Sequence, residues 1–119
     1  MNASKKILVA DDDLAICESL QLMLQEEGYE VDITLDGSTL KNIQKDVYDL
    51  ILLDVWMSGH DGSHICRELK SNKETQSLPI IIMTARREAE NIAIEAGAND
   101  FIAKPFSMSE LLEKVAKNI

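Results

Sequence analysis

Four apolar runs in this 119-residue chain each stop at a side chain suited to phosphate or metal chemistry. Leu50-Ile51-Leu52-Leu53 stops at Asp54, and Ile7-Leu8-Val9-Ala10 stops at Asp11 and Asp12. Ile80-Ile81-Ile82-Met83 stops at Thr84, and Phe101-Ile102-Ala103 stops at Lys104. Laid side by side, these runs bring three acids, a hydroxyl and an ammonium to one edge. Two like charges ~5 Å apart repel by ~3 kcal/mol at an effective dielectric near 20. Three gathered carboxylates must therefore take up a proton or bind a cation, and one lysine is too little to neutralise them. A hard divalent ion with oxygen ligands suits the cluster, and Mg²⁺ is the expected one where phosphate is handled. A carboxylate beside such an ion, a lysine and a hydroxyl makes a phosphoryl-transfer site. The metal and the lysine hold the equatorial oxygens while an aspartate oxygen attacks in line. Asp54 is the best nucleophile, because it stands alone at the end of the most central run.

Taken singly, each residue has an ordinary explanation. An acid at a strand end is usually a turn former or a helix cap, and that is the expectation for Asp13. Asp11 and Asp12 together exceed what one cap needs. Thr84 alone is a β-former and Lys104 alone a surface lysine, so the signal lies in all four ends being filled at once. His60 and Asp61, in a glycine-bounded loop, read as turn residues rather than ligands. His64 reads as a solvated helix residue.

The elements that must position these groups alternate between strand-like and helix-like five times. Strict alternation predicts an α/β fold, a parallel sheet with helices on both faces. Unbroken apolar runs are the habit of strands buried on both sides, and ligand sites form at their carboxyl ends. The pattern predicts strands over about 5–10, 30–35, 50–54, 78–84 and 101–103. Helices are predicted over about 14–27, 38–45, 63–71 and 86–95, with a last one opened by a capping box of Ser107 and Glu110. Ile16, Leu20, Met23 and Leu24 form the inner face of the first. The helix from Arg86 carries mainly alanines inward and is expected to be loosely held.

The composition is that of a globular domain, and the length allows one, residues 1–119. A net charge of −9 with no offsetting basic cluster argues against nucleic-acid binding. No span approaches the ~20 apolar residues of a membrane helix, and the apolar run after Met1 is too short for a signal-peptide core. Cys17 and Cys66 are distant and read as reduced core residues. The expected location is cytoplasmic.

Five motifs now carry a resemblance. Asp11-Asp12 after a strand, Asp54 closing Leu-Leu-Asp, Met57-x-Gly59-x-Asp61-Gly62, Met83-Thr84-Ala85 and Lys104-Pro105-Phe106 stand in order along the chain. Together they resemble the receiver domain of bacterial two-component response regulators, over essentially the whole chain. The resemblance implies a doubly wound, flavodoxin-like fold: a five-stranded parallel sheet in the order 2-1-3-4-5 with five helices. It implies that Asp54 accepts phosphoryl from a sensor histidine kinase or a histidine phosphotransfer protein. The domain would promote its own phosphoryl transfer and hydrolysis, and would signal to a downstream effector that the sequence does not identify. Mg²⁺ would be held by Asp12, Asp54 and the backbone carbonyl of Trp56, with Asp11 acting through water. Lys104 would contact the phosphoryl group, Thr84 would move to bond it, and Phe101 would be the switch aromatic that turns inward. The Lys104–Pro105 peptide would be cis. Partner specificity would lie on the exposed face of the first helix and neighbouring loops.

Two departures stand out. Ser58 replaces a proline usual in the family, and Trp56, two past the phosphoacceptor, is unusually bulky. Trp56 and Arg86, two past Thr84, are placed to modulate the rate at which the phosphoryl group is lost. With no effector-like segment after Ile119, the sequence fits a stand-alone receiver or one cut from a longer regulator.

Rival readings are a haloacid-dehalogenase-type phosphatase, which also uses an aspartate nucleophile, and a receiver-like module that binds partners without phosphorylation. The phosphatase needs another acidic pair after the lysine, and only Glu110 and Glu113 remain, in a helix. The module would be marked by loss of an acid, the threonine or the lysine, and none is lost. A flavodoxin-like phosphate cradle is disfavoured, since Asp11-Asp12-Asp13 would repel the phosphate.

Overall fold

Each apolar run becomes a strand of one parallel sheet in the computed structural model, which describes residues 4–43, 47–57 and 59–119. The elements run β1 (Lys6–Ala10), α1 (Leu14–Glu26), β2 (Glu30–Thr34), a 3₁₀ helix (Gly37–Asn42), β3 (Leu50–Asp54), β4 (Trp56–Met57), β5 (His60–Asp61), α2 (Gly62–Ser71), β6 (Ile80–Thr84), α3 (Ala89–Ala96), β7 (Asp100–Ala103) and α4 (Met108–Asn118). The main sheet has the order β2-β1-β3-β6-β7. Counting its own strands alone, that is 2-1-3-4-5.

Interior strands explain the continuous apolar runs. Leu8, Ala10, Ile51, Leu53, Ile80 and Ile82 point to one face, where Leu40, α2 and α3 cover them. Ile7, Val9, Leu50, Leu52, Ile81 and Met83 point to the other, under α1 and α4. Both faces are dry, so neither parity along the strand can be polar. Register then sets the active edge. Ala10 pairs with Leu53, Asp54 with Met83, and Thr84 with Ala103. Asp11, Asp54, Thr84 and Lys104 therefore all fall within a residue of the last rung.

The structure departs from the sequence-based elements in five places. The second helix is a 3₁₀ helix over Gly37–Asn42 rather than an α-helix over 38–45, and Lys45 lies outside the described residues. Leu40 is its one fully buried apolar side chain, and Ile43 donates back only three residues, to the Leu40 carbonyl at 3.4 Å. So short a segment, with Ser38 and Thr39 competing for the backbone, closes the tighter turn. The loop after β3 contains a small antiparallel pair, β4 with β5, in which Trp56 faces Asp61 and Met57 faces His60. Gly59 supplies its left-handed backbone, with φ of 80°; Ser58 lies outside the described residues. β6 starts at Ile80, after Pro79, because the Leu78 amide is already used in a turn to the Thr75 carbonyl at 3.0 Å. α3 starts at Ala89, not at Arg86, since the Arg86 amide bonds the Thr84 hydroxyl at 3.0 Å. In α1 the buried residues are Cys17, Leu20 and Leu24, with Ile16 and Met23 at the margin.

Candidate functional site

Asp11 is the first residue after β1. Its amide donates to the Thr34 carbonyl at 3.1 Å, which extends the β1–β2 ladder by one step. Its carboxylate is only 1% exposed. It accepts from the Asp13 amide at 2.9 Å and from Lys104 Nζ at 2.7 Å. Asp13 does what its position predicts and caps α1, accepting from the amides of Ala15 and Ile16. Asp12, the next residue, is exposed.

Asp54 ends β3, and the Val55 amide donates to the Met83 carbonyl at 3.0 Å, so the strand stays straight through the acid. Lys104 follows β7, two strands away, and its amide is tied to the Thr84 carbonyl at 2.8 Å. From there Nζ reaches Asp54 Oδ1 at 3.3 Å. The ammonium thus sits nearer Asp11 than Asp54. Thr84 is buried at the end of β6, and its hydroxyl accepts from the Arg86 amide in this conformation.

Carboxylate oxygens of Asp11, Asp12 and Asp54 lie within 4.8 Å of one another. Burial, then the charge of Asp11, pushes the Asp54 carboxyl up to about 6, against the opposing pull of Lys104. Burial works to lower the Lys104 pKa, but its hydrogen bond to Asp11 and the charges of Asp54 and Asp11 outweigh that and hold it raised. Lys104 pairs with Asp11 and Asp54, and the three carboxylates still gather closely enough to share one cation. Hard oxygen donors at this separation fit a divalent ion of the Mg²⁺ class.

Two residues shape the site in ways the sequence did not show. The Cys17 thiol donates to the Asp11 carbonyl at 3.2 Å, which ties the acidic loop to α1. Its signal was there, since Cys17, Leu20 and Leu24 are spaced by three and four. Gly62 was noted only as part of a motif. A Cβ at Gly62 would stand 2.1 Å from the Asp54 carbonyl oxygen, so the start of α2 can lie against the nucleophile's own backbone only as glycine.

The remaining candidates surround this centre. Trp56 is 64% exposed, while Met57 beside it is fully buried. Arg86 is exposed, and Phe101 is half-buried against the core on the α3 side of the sheet. The Lys104–Pro105 peptide is cis. Asp61 caps α2 through the Ser63 amide at 2.9 Å, the turn role expected of it. His60 sits 3.6 Å from Asp36, and His64 pairs with Glu68 at 2.9 Å along α2, so neither joins the acidic cluster.

Residues 7–116 match the family described as the response regulator receiver domain. The chain is 43% identical over 115 residues to response regulator MprA of Mycobacterium ulcerans, covering 94% of this chain and 49% of that protein. It thus spans about half the length of the curated relatives it matches. Among solved structures, response regulator TrrA of Thermotoga maritima in complex with Mg²⁺-BeF is 38% identical, with a TM-score of 0.84 over 97% of this chain and 99% of that one. The receiver domain of a sensor histidine kinase from Pseudomonas aeruginosa, with a magnesium ion coordinated in its active-site cleft, is 29% identical. Its TM-score is 0.86 over 98% of each chain.

Proposed function

Because the chain belongs to the response regulator receiver domain family, we propose that it takes a phosphoryl group onto Asp54 and signals by a change of surface. The observation that carries this is the Asp54 carboxylate, 3.3 Å from Lys104 Nζ and inside a three-acid cluster, one rung from the Thr84 hydroxyl. A Mg²⁺ ion would be held by Asp12, Asp54 and the Trp56 carbonyl, with Asp11 acting through water. When bound, it supplies the positive charge that lets an anionic carboxylate approach an anionic phosphoryl group. The raised Asp54 pKa and the magnesium of two similar structures support that choice.

The donor is a phosphohistidine of a sensor kinase or a phosphotransfer protein. An Asp54 oxygen attacks phosphorus in line, the P–N bond breaks, and its electron pair stays on the imidazole. Lys104 holds an equatorial oxygen of the transferred group. The Thr84 hydroxyl then leaves the Arg86 amide to donate to another, and Phe101 turns into the space. The acyl phosphate is later lost to water, so the chain promotes its own transfer and hydrolysis. A downstream effector reads the altered surface, in the cytoplasm.

Incubation with a small phosphodonor and Mg²⁺, followed by intact mass and peptide mapping, tests this. The expected result is one phosphoryl group on Asp54, absent in Asp54→Asn. Phosphoryl on Asp11 or Asp12 would overturn the assignment. No uptake would favour a phosphorylation-independent binding module, and steady turnover of phosphate esters a phosphatase.

A further inference from the structure

We propose that Lys114 is a positioning residue that holds Phe101 in its resting place and so sets how easily the chain switches; this rests on the switching role of Phe101 proposed above. Among the described residues β7 is an edge strand, so carbonyls on its outer side have no neighbouring strand there to bond. Lys114, on α4, reaches around that edge. Its Nζ donates to the Phe101 carbonyl and lies 4.3 Å from the centroid of the Phe101 ring. The same ammonium pairs with Asp100 Oδ1 at 3.3 Å. One cation therefore grips the backbone, the ring and the preceding side chain of a single strand residue.

The grip is itself braced. Asn118, one turn on, donates to Asp100 Oδ2 at 3.0 Å and to the Lys114 carbonyl at 2.8 Å. The Phe101 amide donates to Asp100 Oδ1 at 2.9 Å. Lys114 and Asp100 side chains are only 22% and 15% exposed, so the pair is shielded more than an ordinary surface pair. A cation over an aromatic face is attracted by the ring quadrupole, and the attraction grows with desolvation. If the ring turns inward, it leaves the ammonium, while the carbonyl and Asp100 contacts keep the lysine in place to take it back. Lys114 thus favours one of two ring positions, which is what a group must do to shift a population.

The chain has two phenylalanines, Phe101 and Phe106, so uniform 4-fluorophenylalanine labelling gives two ¹⁹F resonances, assigned with Phe106→Leu. Spectra are taken with and without Mg²⁺ and beryllofluoride for the parent, Lys114→Met and Lys114→Arg. In the parent, beryllofluoride should move the Phe101 resonance. In Lys114→Met the resting protein should already populate the beryllofluoride-like position several-fold more than the parent. Lys114→Arg, which keeps the cation and its donors, should restore the parent value. Asp100→Asn, which loosens the anchor and keeps the ammonium, should shift the population in the same direction by less. It serves also if Lys114→Met melts too low to study. An unmoved Phe101 resonance in the parent would sink the switching role itself. A parent that responds, with Lys114→Met and Asp100→Asn populations equal to it at rest, would overturn the latch alone. A shift in Lys114→Met that arginine does not rescue would reduce Lys114 to a packing residue and also overturn the proposal.

Discussion

Asp54 is the residue where folding works against charge. Its ordinary pKa of 3.8 rises to about 6 in the folded chain, through burial and then the charge of Asp11. An acid whose pKa is raised by folding binds its proton more tightly folded than unfolded. Its contribution is therefore neutral below the unfolded value, grows destabilising as pH rises from that value to the folded one, and is complete above it. Without Mg²⁺, the melting temperature of the parent should fall relative to Asp54→Asn between pH ~4 and ~7. Above that window the variant should melt several degrees higher. Calorimetry across that range checks it, and parallel curves would show that folding does not raise the Asp54 pKa. Trp56 carries a second prediction. It is exposed and two residues past the nucleophile, so core packing does not account for an indole there. Leaning over the mouth, it would obstruct the in-line water that hydrolyses an acyl phosphate. Trp56→Asn should lose phosphoryl several-fold faster with Mg²⁺ present. An unchanged rate would make Trp56 a partner-contact residue. The acids, Thr84 and Lys104 were legible because each ends an apolar run. The role of Gly62 was not, because what demands it is the Asp54 carbonyl, brought close only by folding; Cys17 was legible as a core residue, but its bond to the Asp11 carbonyl was not.

At the scale of elements, sequence patterning succeeded where burial is complete and failed where it is marginal. β1, β3 and β6 are buried on both faces and were read from apolar runs alone. The 3₁₀ helix and the start of α3 were misplaced because few apolar residues define them. α3 buries only Ala89, Ala93 and Ala96, with Ile92 half-covered, and its Glu88 cap makes no side-chain hydrogen bond. Ile94 on the same helix is exposed. α1 and α4, in contrast, bury leucines and have side-chain caps from Asp13 and Ser107. Less apolar area is removed from water under α3, so it opens locally at lower free energy. Backbone amides of α3 should exchange fastest among the four α-helices. They and residues 84–106 should change most when beryllofluoride and Mg²⁺ are added. Protection changes confined to residues 54–62 would mean that the signal leaves by another face.

On the scale of the whole molecule, the acidic cluster exists only in the folded chain. Asp11 and Asp54 stand at the ends of neighbouring strands but 43 positions apart in sequence, joined by the pairing of Ala10 with Leu53. An unfolded chain offers no such constellation, so a divalent ion bound there stabilises the fold by RT ln(1 + [L]/Kd). At ten times Kd that is about 1.4 kcal/mol, which for a domain of this size is a shift of several degrees. With a net charge of −9, any added salt also stabilises the fold by screening self-repulsion. Melting is therefore compared in Mg²⁺ and in NaCl of equal ionic strength, for the parent and for Asp12→Ala. The parent should gain several degrees from Mg²⁺ beyond the NaCl control, and Asp12→Ala should gain little beyond it. The parent's extra gain should also shrink as pH falls through about 6, because the proton taken up by Asp54 competes with the ion. Equal gains in the two proteins would place Mg²⁺ on the diffuse surface charge and remove the metal from the proposed chemistry. A gain in the parent that persists unchanged at pH ~5, below the Asp54 value of about 6, would take Asp54 out of the ligand set.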